Sequence, residues 1–204
     1  MILSDIDIRM QIGKDPPLIK PFHEECLQGA SYDLSMSSKI AVFQKQVKTI
    51  DLMDQSAIDE IYENKELNSS GYVLNPGEYI LATINEEVNI PPNLVAHIRP
   101  RTRFTRLGVL VSAQHCNPGY SGILQLGIYN ASPNAIVLKP GIHIAQLIFE
   151  ELLSTPSVEK QYQHKKDSAY MGEHEFRGAI FGPQELSANA KQLYDKILTD
   201  LGEA

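Results

Sequence analysis

The sequence predicts a mainly β fold, a sandwich or a barrel, and two observations support this prediction. Short strand-like segments recur at regular spacing, and turn signals separate them, including Pro-Gly pairs at 76–77, 118–119 and 140–141. No solenoid period and no low-complexity segment is present, so a repeat architecture is not expected. The predicted strands are KIAVF (39–43), YVLNP (72–76), YILATI (79–84), LVAHI (94–98), GVLVSA (108–113), ILQLGIYN (123–130), AIVL (135–138) and IAQLIFEEL (144–152).

Three further segments are expected to be helical or irregular. IDIRMQIG near the N-terminus predicts a short helix that Ser4 or Asp5 caps. AIDEIYENKEL (57–67) is either a helix or a surface excursion. ELSANAKQLYDKILTDLGE predicts a C-terminal amphipathic helix that packs against the barrel or a neighbouring subunit, with a regulatory partner as the alternative. Its apolar residues recur at helical spacing: Leu186, Ala190, Leu193, Ile197 and Leu201.

Composition narrows the class of protein. A chain of 204 residues suffices for one sizeable domain, and its net charge of −7 argues against general nucleic-acid binding. No apolar run reaches membrane-spanning length and the start carries acids where a signal peptide needs bases, so a cytoplasmic protein away from membranes is expected. Cys26 and Cys116 suggest no disulfide framework, and neither the cysteines nor the six histidines show metal-ligand spacing. No protein-bound metal is therefore expected.

The stretch NPGYSGILQLGIYN (117–130) predicts a polar strand face without a proton carrier. Ile123, Gln125, Gly127 and Tyr129 share one face, because strand side chains alternate. No Asp, Glu, Lys or Arg occurs between Arg106 and Lys139. In that window His115 titrates nearest neutral pH, followed by Cys116. His115 is either a substitute base beside a pocket or a neutral histidine at a subunit contact.

The segment RPRTRFTR (99–106) holds four of the six arginines in the chain. If it continues the preceding strand, Arg99, Arg101 and Arg103 point the same way. One interpretation is a phosphate site, because the planar guanidinium pairs with phosphate through two parallel bonds. The other is a set of salt bridges, some across an oligomer interface. Glycine-rich phosphate loops of the P-loop or dinucleotide-binding type are absent, and so is the zinc-deaminase signature.

Taken together, these segments resemble the family of dCTP deaminases and the trimeric dUTPases that share their fold. The resemblance covers roughly the first 180 residues and depends on the order and spacing of the motifs, since each motif alone is weak. It implies a distorted jelly-roll β-barrel of the dUTPase-like type, with a few short helices, assembled as a homotrimer with active sites between subunits. The matching segments are MILSDIDI (1–8), GASYDLSMS (29–37), TIDL (49–52), NPGEYILATINEEVNIPPNLVAHI (75–98), PRTRFTRLG (100–108), NPGYSG (117–122) and KPGIHIAQLIF (139–149).

The resemblance also implies residue roles. By position, Arg101, Thr102 and Arg106 contact a triphosphate, and Arg106 helps to activate water. Gln146 and Tyr162 lie near the phosphates. The remaining expected substrate contacts are Asn117, Tyr120, Gln125 and Arg177, with Phe181 over the base. Magnesium is expected to arrive with the triphosphate. The barrel domain is predicted over 1–183 and the terminal helix over 184–204.

The departures from the family pattern are chemical. The deaminases place a glutamate, as general acid and base, where this chain has Gly127, and the dUTPases place an aspartate at Asn117. A family lysine is matched by Ala169, and Asp33 is expected to have a structural role in a tight bend. Losing a positioned proton carrier costs about two to four orders of magnitude in rate. Three hypotheses stay open: a deaminase or triphosphate hydrolase with relocated groups, a catalytically silent nucleotide-binding trimer, and an enzyme with altered nucleotide chemistry.

Overall fold

The computed structural model describes residues 1–44, 49–181 and 188–201. Within these residues the α-helices are α1 (Asp5–Ile12), α2 (Gln55–Asp59), α3 (Thr102–Arg106) and α4 (Ala188–Leu201). The strands are β1 (Ile19–Lys20), β2 (Leu27–Gln28), β3 (Ser31–Phe43), β4 (Tyr62–Glu66), β5 (Tyr72–Leu74), β6 (Tyr79–Asn89), β7 (Leu94–Pro100), β8 (Val109–Val111), β9 (His115–Cys116), β10 (Ser121–Asn130), β11 (Ile136–Leu138) and β12 (His143–Glu151). The prediction of a mainly β protein is confirmed, and each of the eight predicted strands overlaps an observed one.

The main sheet runs in the order β8-β10-β6-β3-β12-β7-β9, with β1 added on β6 and both β2 and β4 on β3. A second, two-stranded sheet joins β11 to β5. The long neighbours pair antiparallel, and register shifts interrupt three of the pairings, at Met36/Ile40, Ile123/Gln125 and His143/Ala145. Such bulges bend and twist a strand, which lets a large antiparallel sheet curl around its own apolar face.

Alternation along the long strands builds the core. On β10, Leu124, Leu126 and Ile128 are buried, and on β12 Leu147 and Phe149 are fully buried. Each of these side chains contributes about 1.5–3 kcal/mol by leaving water. The intervening residues face outward, as the sequence predicts for Gln125, Gly127 and Tyr129, and it is this outer face that carries polar chemistry.

The predicted N-terminal helix is confirmed as α1, and Ser4 caps it. The Ser4 hydroxyl accepts the Asp7 backbone N–H at 3.3 Å, and the Asp7 carboxylate accepts the Ser4 backbone N–H at 3.0 Å. This reciprocal capping box satisfies two backbone donors that a helix start otherwise leaves free.

Two segments differ from their expected form. The stretch 57–67 is neither a continuous helix nor an excursion, because α2 ends at Asp59 and the strand β4 follows from Tyr62. The arginine segment does not continue its strand, because β7 ends at Pro100 and the one-turn helix α3 begins at Thr102. Pro100 lacks an N–H for further pairing, and the 6 % exposed side chain of Phe104 anchors the helical turn in the core.

The chain divides into two compact units, residues 1–43 with 63–176, and residues 44–62 with 177–204. The predicted terminal helix is confirmed in the second unit as α4, where Leu193 and Ile197 are exposed. Leu186 and the predicted boundary after residue 183 lie among residues 182–187, outside the described part of the chain, so the boundary stays a prediction. In the described residues no helix is long and apolar enough to cross a membrane.

Candidate functional site

A charged face lies on the outer side of β3, β12 and β7. Gln146 on β12 stands directly opposite Asp33 on β3 and Arg99 on β7. Residues directly opposite one another in a sheet share a face, so these three side chains lie on the same side. Arg101 and His143 contact the same cluster, which we call the charged face: Asp33, Arg99, Arg101, His143 and Gln146.

Asp33 is the centre of the charged face. Its carboxylate is 4 % exposed and forms an ion pair with Arg101, whose side chain is 21 % exposed. Gln28 Nε2 donates to Asp33 Oδ2 at 3.2 Å, and His143 Nδ1 lies 4.0 Å from the same oxygen. For Arg101 the salt-bridge interpretation therefore holds in the single chain. Asp33 fixes the guanidinium in place from within the strand β3, so its expected place in a tight bend is wrong, and its structural role is an ion pair with Arg101.

The other arginines of the segment differ from Arg101. Arg99, Arg103 and Arg106 are exposed, and none of them forms an ion pair within residues 1–44, 49–181 and 188–201. Thr102, the first residue of α3, is exposed beside them. Three guanidinium groups without a carboxylate partner in the described chain leave the phosphate interpretation open for this segment.

The outer face of β10 is polar and held by neutral hydrogen bonds. Gln125 Oε1 accepts from the Thr83 hydroxyl at 2.7 Å, and the Gln125 carbonyl accepts from Gln114 Nε2 at 2.6 Å. The Ser112 hydroxyl accepts the Gly127 backbone N–H at 2.9 Å. The Gln125 amide nitrogen is buried and has no hydrogen-bond partner among the described residues. We call Thr83, Ser112, Gln114, Gln125 and Gly127 the neutral face.

Gly127 is covered by an aromatic ring that the sequence analysis missed. A Cβ atom on Gly127 would lie 2.0 Å from the Tyr79 hydroxyl oxygen and 2.7 Å from its Cζ, so no side chain fits while Tyr79 stays in place. Burial raises the pKa of Tyr79, and the Phe43 ring packs 5.7 Å from the Tyr79 ring between centroids. The phenol thus fills the space in which a side chain at position 127 would begin. Strand pairing brings Tyr79 to this position. Gly127 pairs with Leu81 on β6, and Tyr79 lies two residues before Leu81 on the same strand.

His115 lies at the edge strand β9, where it pairs with His97 on β7. The two ring centroids are 5.1 Å apart. Burial lowers the pKa of His115, and the neighbouring His97 lowers it further, while a side-chain hydrogen bond with Asn117 acts in the opposite direction. Among the described residues the groups that act on its pKa are an imidazole and an amide, and no carboxylate among them stabilises the imidazolium that a general base must become.

Asn117, Tyr120 and Tyr162 come together around one turn. The Tyr120 N–H donates to the Asn117 carbonyl at 3.1 Å, and the Tyr162 N–H donates to the Pro118 carbonyl at 2.8 Å. The Tyr120 and Tyr162 rings pack 5.6 Å apart, and the Tyr162 hydroxyl accepts the Tyr170 N–H at 3.2 Å. Burial raises the pKa of both phenols. Since Tyr120 is only 6 % exposed, it supports the turn from inside.

The predicted site residues therefore fall into separate groups within one chain. Arg101 and Gln146 belong to the charged face and Gln125 to the neutral face. The strand β12, which carries Gln146, is three spacings along the sheet from β10, which carries Gln125, about 14 Å. Arg177 is exposed and belongs to the second compact unit. No group of three or more metal-ligating side chains occurs among the described residues. The roles assigned to these residues stay predictions.

Comparisons with known proteins identify a family. Residues 2–152 match the model of the dCTP deaminase-like family. The chain is 35 % identical over 179 residues to a dCTP deaminase of Natronomonas pharaonis, covering 85 % of this chain and 91 % of that protein. It is 33 % identical over 178 residues to a dUMP-forming dCTP deaminase of Methanosphaera stadtmanae, covering 84 % and 89 %.

A solved structure supports the same fold. A crystal structure of 2′-deoxycytidine 5′-triphosphate deaminase from Agrobacterium tumefaciens matches with a TM-score of 0.58 at 24 % identity. The match covers 74 % of this chain and 48 % of that one, so this chain spans about half the length of that deaminase. The predicted resemblance and the predicted fold class are both confirmed.

Proposed function

Because this chain belongs to the dCTP deaminase-like family, we propose that it binds a deoxypyrimidine nucleoside triphosphate without the deamination step that a carboxylate at position 127 would perform. One observation carries this proposal. The Tyr79 phenol occupies the space above Gly127, so the chain has neither the carboxylate nor room for one. A site that keeps phosphate-binding groups and lacks the proton carrier binds its ligand and leaves the ring unchanged.

The phosphate half of the proposal depends on α3 and its surroundings. Arg103 and Arg106 are exposed on one short helix, and they form no ion pair within the described part of the chain. The whole protein is acidic, with 25 acids against 18 bases, so a basic cluster without carboxylate partners is selective for a strongly anionic ligand. A triphosphate with its magnesium ion is such a strongly anionic ligand. Each guanidinium group can bind two phosphate oxygens through parallel hydrogen bonds.

The base half depends on the neutral face. The buried Gln125 amide N–H₂ is a free donor there, and the Gly127 backbone is fixed by Ser112. Neutral donors bind carbonyl and ring-nitrogen acceptors of a pyrimidine but transfer no proton near neutral pH. This arrangement supports binding of a pyrimidine base and does not supply the proton transfer that deamination of the base needs.

We further propose that the protein is a homotrimer with its sites between subunits. Within one chain β12, which carries Gln146, and β10, which carries Gln125, are three strand spacings apart along the sheet, about 14 Å. Large apolar side chains are also exposed on neighbouring strands around Gly127: Phe43, Tyr79, Leu110 and Tyr129. A second copy covering these residues would bring its own arginines to the neutral face. The cytoplasmic location stays a prediction.

Deamination of dCTP is the second candidate function. The names of the relatives that are 33–35 % identical favour it. The reaction would need a proton carrier other than residue 127. Between Arg106 and Lys139, where the chain has no Asp, Glu, Lys or Arg, His115 is the side chain whose ordinary pKa lies nearest to neutral pH.

One experiment separates the two functions. The protein is incubated with magnesium and each deoxynucleoside triphosphate in turn, while thermal unfolding is measured and the products are resolved by chromatography. We expect dCTP, dUTP or dTTP to raise the unfolding temperature with no release of uracil nucleotides or pyrophosphate, because a ligand that binds only the native state stabilises it. Arg106→Gln should weaken the shift, and Arg9→Gln, an exposed arginine of α1, should not.

Two outcomes would contradict the proposal. Turnover of dCTP to a uracil nucleotide would establish the second candidate, and loss of that turnover in His115→Gln would identify its base. A chain that no triphosphate stabilises, at any concentration up to several millimolar, would refute nucleotide binding altogether.

A further inference from the structure

Two histidines that are distant in sequence face each other on neighbouring strands. His97 on β7 and His115 on β9 are direct register partners, with ring centroids 5.1 Å apart and ring planes at 55°. Directly paired residues project from the same side of a sheet. His97 is half-buried and His115 is exposed, so the space between the rings is open to solvent on one side.

This spacing matches a pair of imidazoles that share one metal ion. With about 2.1 Å from metal to nitrogen and roughly 1.1 Å from nitrogen to ring centre, a tetrahedral ligand angle separates two ring centres by about 5.2 Å. The observed 5.1 Å therefore admits an ion between the rings without moving either strand. Tilted planes suit it too, since each ring must aim a nitrogen at a common point, which stacked rings cannot do.

Asn117 adds a partner behind one of the rings. A side-chain hydrogen bond joins His115 to Asn117. A histidine that donates one N–H to a neighbour presents its other nitrogen as a lone pair, and metal-binding histidines are commonly held in this way.

We propose that His97 and His115 form a two-histidine chelate for a divalent transition metal of the Zn²⁺, Ni²⁺ or Cu²⁺ class. Imidazole nitrogen suits these ions, whereas Mg²⁺ prefers oxygen. Among the described residues no third metal-ligating side chain completes the set, so the other coordination positions are open to water or to an external ligand. The outward neighbours of His97 are Ile148 across the β7–β12 pair and Arg99 along its own strand, and Arg99 favours an anionic ligand at those open positions.

This proposal does not depend on the proposed nucleotide function, which requires no ion held by protein side chains. The histidine spacing along the chain gives no ligand pattern, which is why the sequence predicts no protein-bound metal. Antiparallel pairing of the edge strand β9 supplies the arrangement instead.

The experiment is a calorimetric titration of the untagged, metal-free protein with Zn²⁺, Ni²⁺ and Mg²⁺, repeated by thermal unfolding. We expect one transition-metal ion per chain, no Mg²⁺ binding in the absence of nucleotide, and a loss of affinity of at least tenfold in either His97→Gln or His115→Gln. Asn117→Ala should lose about tenfold, because it removes the partner that orients the ring. His164→Gln, a matched change on another part of the surface, should bind like the parent chain.

Three results would overturn the proposal. The first is an equal Zn²⁺ affinity in the parent chain and in both histidine variants. The second is equal binding of Mg²⁺ and Zn²⁺ by the parent chain. The third is a loss of binding in His143→Gln alone. The last would move the ion to the contact between His143 and Cys26, whose Nε2 and Sγ lie 3.6 Å apart. Unfolding curves of the metal-free variants that match the parent curve would exclude misfolding as the cause of a lost affinity.

Discussion

The charged face and the neutral face lie on one sheet and are stabilised by different interactions. On the charged face a buried carboxylate, Asp33, holds the Arg101 guanidinium and accepts from Gln28. On the neutral face the Thr83 hydroxyl donates to Gln125 Oε1, the Ser112 hydroxyl accepts the Gly127 N–H, and Tyr79 covers Gly127. The difference teaches that one sheet holds a guanidinium in place with a buried carboxylate on one face and arranges polar groups through uncharged hydrogen bonds on the other.

Removing Asp33 should give the largest effect. In Asp33→Ala the Arg101 guanidinium loses its partner in a region mostly shielded from water, so we expect a loss of about 3 kcal/mol in the free energy of unfolding, the lower end for a broken buried pair. Urea denaturation at pH 7 measures it. Arg9→Gln, which breaks exposed pairs with Asp5 and Glu24, should shift the midpoint far less. If Asp33→Ala and Arg9→Gln lowered the free energy of unfolding equally, burial of the Asp33 ion pair would add nothing to stability.

Placing a carboxylate on the neutral face should give the next effect. Gly127→Glu alone should destabilise the chain by about 1–3 kcal/mol, because its Cβ meets the Tyr79 hydroxyl at 2.0 Å and the ring must move. The double variant Gly127→Glu with Tyr79→Ala removes that clash and should regain stability relative to Gly127→Glu.

The same double variant tests the chemistry. If the remaining pocket binds dCTP as the family does, it should release uracil nucleotide that the parent chain does not, measured by chromatography. Tyr79→Ala alone is the control. A double variant less stable than Gly127→Glu would contradict the steric role of Tyr79.

Cutting one hydrogen bond of the neutral face should cost less. In Ser112→Ala the Gly127 N–H and the Gln114 amide lose an acceptor, at 2.9 and 3.4 Å respectively, and we expect a loss of about 1–2 kcal/mol by thermal unfolding. Ser157→Ala, an exposed serine outside the sheet, serves as the control. No difference between the two variants would mean that water replaces the hydroxyl without loss.

The smallest effect concerns the proton affinity of His115. His97→Gln should raise the pKa of His115 because it removes a nearby positive charge, whereas Asn117→Ala should lower it because it removes a bond to the ring. NMR titration of the imidazole measures both. The folded-state pKa lies below the ordinary 6.5, so the stability that His115 contributes is present above that pH and is lost as pH falls through the folded value. Shifts in the same direction for both variants would contradict this account.

Local pattern predicted most of the fold. Alternation and turn signals identified eight strands because both depend on adjacent residues, and Ser4 and Asp7 specified the start of α1 through their own contacts. The pattern does not decide whether 99–106 continues the preceding strand, whereas in the structure β7 ends at Pro100 and the buried Phe104 anchors the turn of α3 that follows. The first half of β3 is absent from the predicted strands, although Tyr32, Leu34 and Met36 alternate with polar residues and are buried as that pattern predicts.

The sequence predicted which residue types the candidate site contains, but it did not predict which of those residues contact one another. The concentration of arginines, the uncharged window and the glycine at position 127 are all visible in the chain. Asp33 as the partner of Arg101, and Tyr79 as the cover of Gly127, had no signal, since each contact joins residues on strands far apart in sequence.

The sequence by itself determined which groups this protein possesses: strands with one apolar face, guanidinium groups without a glycine-rich phosphate loop, and a strand with no carboxylate. The tertiary structure decided which of those groups meet. Cross-strand register placed Gln146 between Asp33 and Arg99 and set His97 against His115. The physical reason is that side-chain periodicity is a local property of the backbone, whereas register depends on bulges, turns and the packing of the whole core.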